Sequence, residues 1–130
     1  MDFVLTLHSH LPYVLNHGRW PHGSDWLCEA ALDTYLPLLE QLRSLDRDRI
    51  PAPVTIGFTP VLANQLASPE FGRELEAFFE QRLAACAEAP ASLAATGDSV
   101  LLPLADYWRR RLERLDGLAT APLRVLASRW

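Results

Sequence analysis

Two short apolar runs, set apart by a stretch with helical periodicity, constrain this 130-residue chain more than any other feature. The first is Asp2-Phe3-Val4-Leu5-Thr6-Leu7-His8. Its branched and aromatic residues lack a helical period and predict a buried strand over residues 2–8. The second, Val54-Thr55-Ile56-Gly57-Phe58, predicts a strand over 54–58 on the same ground. Between them Leu27, Ala31, Tyr35, Leu38, Leu42 and Leu45 recur at spacings of three and four, one apolar helix face. Strand, helix, strand at this spacing predicts a parallel α/β unit with a right-handed crossover. Parallel sheets are buried on both faces, and two strands do not achieve that alone. The pattern reads as the beginning of a larger barrel or open sheet.

Local signals divide the rest. Ser9-His10 and Leu11-Pro12 end the first strand, and the proline holds Leu11 in extended geometry. Residues 13–23 read as a loop rich in histidine, glycine and aromatics. Ser24 and Asp25 are N-cap candidates for the first helix. Pro37 lies inside that helix and predicts a kink near Tyr35, or two helices meeting there. Residues 46–53 form a solvated turn. Thr59-Pro60 and Ser68-Pro69 each read as an N-cap followed by a first-turn proline, opening helices to Leu66 and to about Ala87. Phe71, Leu75, Phe78, Phe79 and Leu83 form the apolar face of the second of these. Residues 88–97 read as a loop. Asp98 or Ser99 then caps a helix carrying Leu101, Leu104, Ala105, Trp108, Leu112 and Leu115. Thr120-Ala121-Pro122 starts a last helical stretch that runs into Trp130.

Composition removes several classes. A formal charge of −4 argues against a nucleic-acid partner, which needs clustered basic charge. No apolar run is long enough for a membrane span, and the N-terminus lacks the basic start and long apolar core of a secretory signal. Cys28 and Cys86 stand in helical contexts and read as reduced thiols, which points to the cytoplasm. All 12 basic residues are arginine, so lysine chemistry is excluded. Arg109-Arg110-Arg111 reads as a solvated helix face.

The four histidines all fall between positions 8 and 22. His8 and His10 stand at the C-terminal end of the first strand, the end that carries ligand sites in α/β folds. Residues two apart in a strand point to one side, so both imidazoles reach one pocket. They suit a metal, or a polar substrate met by neutral imidazole. A metal needs further ligands from other strand ends, and the second strand supplies none. Tyr13, Trp20 and Trp26 follow, aromatic faces of the kind that stack on sugar rings. Trp26 also suits plain packing at the helix start, whereas Trp20, between Arg19 and Pro21, is hard to place in a core.

Four ordered blocks carry a resemblance. They are His8-Ser9-His10-Leu11-Pro12-Tyr13-Val14, His17-Gly18-Arg19-Trp20-Pro21-His22-Gly23, Thr34-Tyr35-Leu36-Pro37-Leu38-Leu39 and Thr59-Pro60-Val61-Leu62-Ala63-Asn64-Gln65-Leu66. Together they resemble the start of glycoside hydrolase family 57, in its 1,4-α-glucan branching enzyme branch. The resemblance covers about residues 3–68. It implies that residues 1–130 are the N-terminal portion of an incomplete (β/α)7 catalytic barrel, with the domain unfinished at its C-terminal side. It implies a retaining transferase that moves an α-1,4-glucan segment to a 6-hydroxyl. In it a glutamate forms the glycosyl-enzyme, and an aspartate acts as acid and then base. It implies an α-glucan substrate, no metal or organic cofactor, and substrate contacts from His8, His10, Trp20 and Trp26. Both catalytic carboxylates are expected beyond Trp130, so the chain by itself is expected to be inactive and to fold poorly without the remainder of the barrel. Two other readings compete. One is a metal-dependent amidohydrolase-type barrel with His8 and His10 as ligands. The other is a non-catalytic helical module.

Overall fold

The computed structural model describes residues 4–127, with side chains described as far as Leu115. Two compact units divide the chain, Met1–Glu74 and Leu75–Trp130.

The first unit is the strand–helix–strand element. Strand β1 covers Leu5–Ser9 and β2 covers Val54–Phe58, paired in parallel with Leu5 opposite Val54 and Ser9 opposite Phe58. The expected strand thus starts later and ends one residue further on; Asp2 and Phe3 lie outside the described residues. Alternation places Leu5, Leu7, Ser9, Val54, Ile56 and Phe58 on one face, and Thr6, His8, Thr55 and Gly57 on the other. The crossover runs through α1 (Ser24–Ala30), a π-helical turn (Ala31–Tyr35) and α2 (Leu36–Arg47). Pro37 explains the π turn. It has no N–H to donate, and the ladder adjusts just before it: Leu36 N–H bonds back to the Ala31 carbonyl, five residues away. The expected discontinuity near Tyr35 takes this form.

The first helix does not start as its sequence suggests. Gly23 occupies the N-cap position, and no side chain caps the helix. Ser24 is buried and its hydroxyl donates instead to Glu74 Oε2 at 2.8 Å. A distant carboxylate has drawn the serine away from the local capping bond. Helix α3 (Pro60–Ala67) does follow its signal, with Thr59 Oγ1 accepting from Leu62 N at 3.4 Å. Leu11, Val14, Leu15, Leu27, Cys28, Ala31, Leu32, Leu36, Leu62 and Phe71 form the buried apolar set of this unit. Burying a leucine such as Leu27 or Leu62 contributes about 1.5–3 kcal/mol.

The second unit is helical. Helix α4 covers Pro69–Thr96 and enters this unit from Leu75 on, and α5 covers Leu102–Ala127, with a 3-10 turn at Ser99–Leu101 before α5. The loop expected over 88–97 is helix as far as Thr96. Its alanines favour helix strongly enough to carry Pro90, which sacrifices one backbone bond. The stop comes at Gly97, whose φ of +80° suits glycine. Asp98 N–H reaches the Leu93 carbonyl at 2.9 Å and Gly97 N–H the Ala94 carbonyl at 3.4 Å, closing the helix end. Likewise α5 is continuous through Thr120-Ala121-Pro122, where a new start was expected, because its leucine- and alanine-rich flanks propagate helix past one missing donor. The run into Trp130 lies outside the described residues.

Leu75, Phe78, Phe79, Leu112 and Leu115 are buried as expected. Leu101 and Leu104, expected on the same apolar face, are exposed; they stand in the 3-10 turn and first turn of the helix rather than in its middle turns. Arg109 bonds Asp106 and Glu113, and Arg110 pairs with Asp106, consistent with a solvated face. The Arg109 hydrogen bond holds the Asp106 carboxyl below its ordinary range. Among the described residues, no helix is long and apolar enough to cross a membrane.

Candidate functional site

The C-terminal ends of β1 and β2 lie side by side, and the crossover reaches over them. Ser9 Oγ donates to Tyr35 Oη at 2.7 Å, and the Tyr35 ring meets Phe58 edge-on at 6.2 Å. Tyr35 closes the π turn, so the local distortion at Pro37 determines where the phenol stands. Thr59 N–H donates to the Ser9 carbonyl at 3.3 Å and extends the strand pairing by one bond. The residue between His8 and His10 is therefore held by side chain and backbone alike.

His8 lies on the opposite sheet face from Ser9, in register with Gly57. A Cβ built on Gly57 would stand 3.4 Å from His8 Nδ1, so the glycine leaves that flank of the imidazole open. His10 follows one residue beyond the strand, and both histidines are exposed. Among the described residues, no three His, Cys, Asp or Glu side chains converge as a metal site would require.

Trp20 belongs to a second feature, a tight turn at residues 18–25, and Trp26 stands just after it in the first turn of α1. Ser24 N–H donates to the Gly18 carbonyl at 2.9 Å, and the N–H groups of Gly23 and Asp25 donate to the Arg19 carbonyl. Arg19 Nε bonds Asp25 Oδ1 at 3.0 Å and lies 3.8 Å from Glu74 Oε2. Gly23 is essential to this turn: a Cβ there would sit 2.0 Å from the Gly18 carbonyl oxygen. The turn displays Trp20 at 75% exposure, far outside any core. Trp26 is 40% exposed and tilts against His22, with centroids 5.7 Å apart, so it is only partly used in packing the helix start. Among the described residues, no hydrogen bond or ring contact links His8 or His10 to Trp20 or Trp26. The histidines stand at the strand end, whereas Trp20 stands on the turn and Trp26 in the first turn of α1.

Cys28 lies buried behind that turn. Burial, reinforced by the negative charges of Asp25 and Glu74, pushes its thiol up to about 12. It is a protonated packing residue, not a nucleophile. Both cysteines are free.

Sequence reasoning passed over three contributors. Tyr35 reads as part of an apolar helix face, at the expected kink and within one block of the resemblance, but not as a site residue. Gly57 reads as an ordinary strand residue. Gln65 stands in the sequence only as a member of the block over residues 59–66, yet it is fully buried and bonded to the loop that follows His10. Asn64 and Gln65 are both amides in the run Val61-Leu62-Ala63-Asn64-Gln65-Leu66, so nothing local marks which of the two is buried.

The geometry defines a parallel α/β unit with His8 near the C-terminal end of β1 and His10 just beyond it. No protein-family model matches the chain. Curated proteins do. The chain is 40% identical over 85 residues to a 1,4-alpha-glucan branching enzyme of Thermococcus kodakarensis, a match covering 65% of this chain and 13% of that protein. It is 45% identical over 67 residues to a protein of Mycobacterium tuberculosis named probable 1,4-alpha-glucan branching enzyme, covering 52% of this chain and 13% of that one. The chain thus resembles branching enzymes over half its length or more, and spans about an eighth of the relatives it matches.

Proposed function

We propose that this chain is the first part of the catalytic barrel of a retaining 1,4-α-glucan branching enzyme of glycoside hydrolase family 57, and forms one wall of its glucan site. The observation that carries this reading is the 40% identity over 85 residues to a branching enzyme. The parallel β1–β2 pair, with His8 and His10 at its C-terminal end, supports it.

In this reading His8 and His10 hydrogen-bond the donor sugar, and Trp20 and Trp26 border the groove in which the glucan lies. Neutral imidazole can donate and accept at one sugar ring, while an indole covers the apolar face of another. The chemistry is two displacements at the anomeric carbon. A glutamate displaces the glycosidic oxygen, which takes a proton from an aspartic acid. The aspartate then removes the proton of the acceptor 6-hydroxyl as that oxygen displaces the glutamate. Both carboxylates come from polypeptide beyond Trp130. Branching is thus a property of the whole polypeptide, in the cytoplasm, with glycogen-like glucan as product.

The test is expression of the polypeptide encoded by the complete open reading frame, incubated with amylose. Loss of iodine staining together with new chains released by a debranching enzyme is the expected result. Loss of staining with only reducing sugar released would replace branching by hydrolysis. Branching by residues 1–130 alone would overturn the assignment of the carboxylates to later polypeptide.

A further inference from the structure

Gln65 is fully buried on α3, although its neighbours Ala63 and Asn64 are exposed. Its carboxamide binds one stretch of backbone. Oε1 accepts from Val14 N at 2.7 Å and from Leu15 N at 3.4 Å, while Nε2 donates to the Pro12 carbonyl at 2.9 Å. The Pro12 carbonyl belongs to the peptide group before Tyr13, and the Val14 N–H belongs to the one after it. A single side chain therefore holds both peptide planes that flank Tyr13. Those planes are related only by φ and ψ of Tyr13, so gripping both fixes its backbone.

The surroundings show what this grip achieves. Leu11, Val14 and Leu15 are buried, whereas Tyr13 is 47% exposed. Its ring meets His17 edge-on, with centroids 6.0 Å apart. An apolar side chain at 65 could fill the same space, but it would leave two buried backbone N–H groups and the part-buried Pro12 carbonyl without this partner. A carboxamide both fills the space and dictates which residue of the loop turns outward.

We infer that Gln65 is a positioning residue that presents Tyr13 as a further sugar-contacting side chain between His10 and Trp20. The inference rests on the α-glucan reading above. A tyrosine suits that role, since its ring covers an apolar sugar face and its hydroxyl meets a sugar hydroxyl. Gln65 acts through Tyr13 and touches no sugar itself.

The test uses the polypeptide of the complete open reading frame, with calorimetric binding of maltoheptaose and branching kinetics on amylose. Tyr13→Ala is expected to weaken binding about fivefold, with the loss falling on KM more than on kcat. Gln65→Met is expected to match it, and the double variant to be no weaker than Tyr13→Ala alone, because the two changes remove one interaction. Should Gln65→Met fail to fold, Gln65→Glu carries the test. Its affinity should recover as pH falls, when the protonated carboxyl again donates to the Pro12 carbonyl. Wild-type affinity in Tyr13→Ala, additive losses in the double variant, or a flat pH profile in Gln65→Glu would overturn the inference while leaving the glucan reading intact. A wild-type protein that binds no α-glucan would overturn both.

Discussion

Ser9 and Tyr35 share a hydrogen bond of 2.7 Å that ties the end of β1 to the π turn of the crossover. Ser9 separates the two histidines of the candidate site, so the bond links the π turn of the crossover to that segment. Tyr35→Phe removes the phenolic oxygen but keeps the ring contact with Phe58. The expected loss is about 1 kcal/mol, the net worth of one partly buried hydrogen bond. Tyr35→Ala also removes the ring and should cost about 2–3 kcal/mol. Urea unfolding of the whole polypeptide measures both. Equal losses in the two variants would mean that the ring contributes nothing.

Helix α4 offers the opposite kind of change. Pro90 lies inside it and leaves the Cys86 carbonyl without its helical donor. Pro90→Ala restores that bond at an exposed position and should stabilise the protein by about 1–3 kcal/mol. A thermal melt checks this, and a lower melting temperature would show that the proline's geometry is needed.

The same helix shows what a sequence does and does not reveal. Both strands were legible because each is a short branched run bounded by polar turns. Thr59-Pro60 was legible because capping acts within three residues. Pro90 misled because the usual stop signal was outweighed by the alanines around it. Ser24 misled for a different reason: Glu74, 50 residues on, takes its hydroxyl, and no local pattern announces that bond. The candidate site divides in the same way. The expectation for His8 and His10 rests on strand alternation, which reaches His8 but stops at Ser9, one residue short of His10. Tyr35, Gly57 and Gln65 become visible only once β1, β2 and α3 are brought together.

Two glycines separate steric need from helix propensity. Gly23→Ala would place a methyl 2.0 Å from the Gly18 carbonyl oxygen, so the turn at 18–25 must open. The expected cost is about 1–3 kcal/mol, with a changed tryptophan emission as Trp20 and Trp26 are displaced. Gly72→Ala meets nothing within 4 Å and lies in the first turns of α4. It should stabilise by about 0.5–1 kcal/mol. Denaturant midpoints of the two variants should therefore move in opposite directions, and a neutral Gly23→Ala would show that the turn yields easily.

Cys28 makes stability depend on alkaline pH. Its thiol is raised from an ordinary 9.0 to about 12, chiefly by burial, then by the charges of Asp25 and Glu74. Below 9.0 both folded and unfolded chains hold the proton, and the full stability is present. Between 9.0 and about 12 the unfolded chain releases the proton while the folded chain keeps it, so each rise in pH favours unfolding. Stability should fall through that window, and Cys28→Ala should flatten the fall at the expense of a small cavity. Thiol labelling at pH 8 gives an independent check. Cys86 is less buried and should react first, with Cys28 protected until the protein unfolds. Equal labelling rates for the two thiols in the folded protein would rule out the burial that raises the Cys28 thiol.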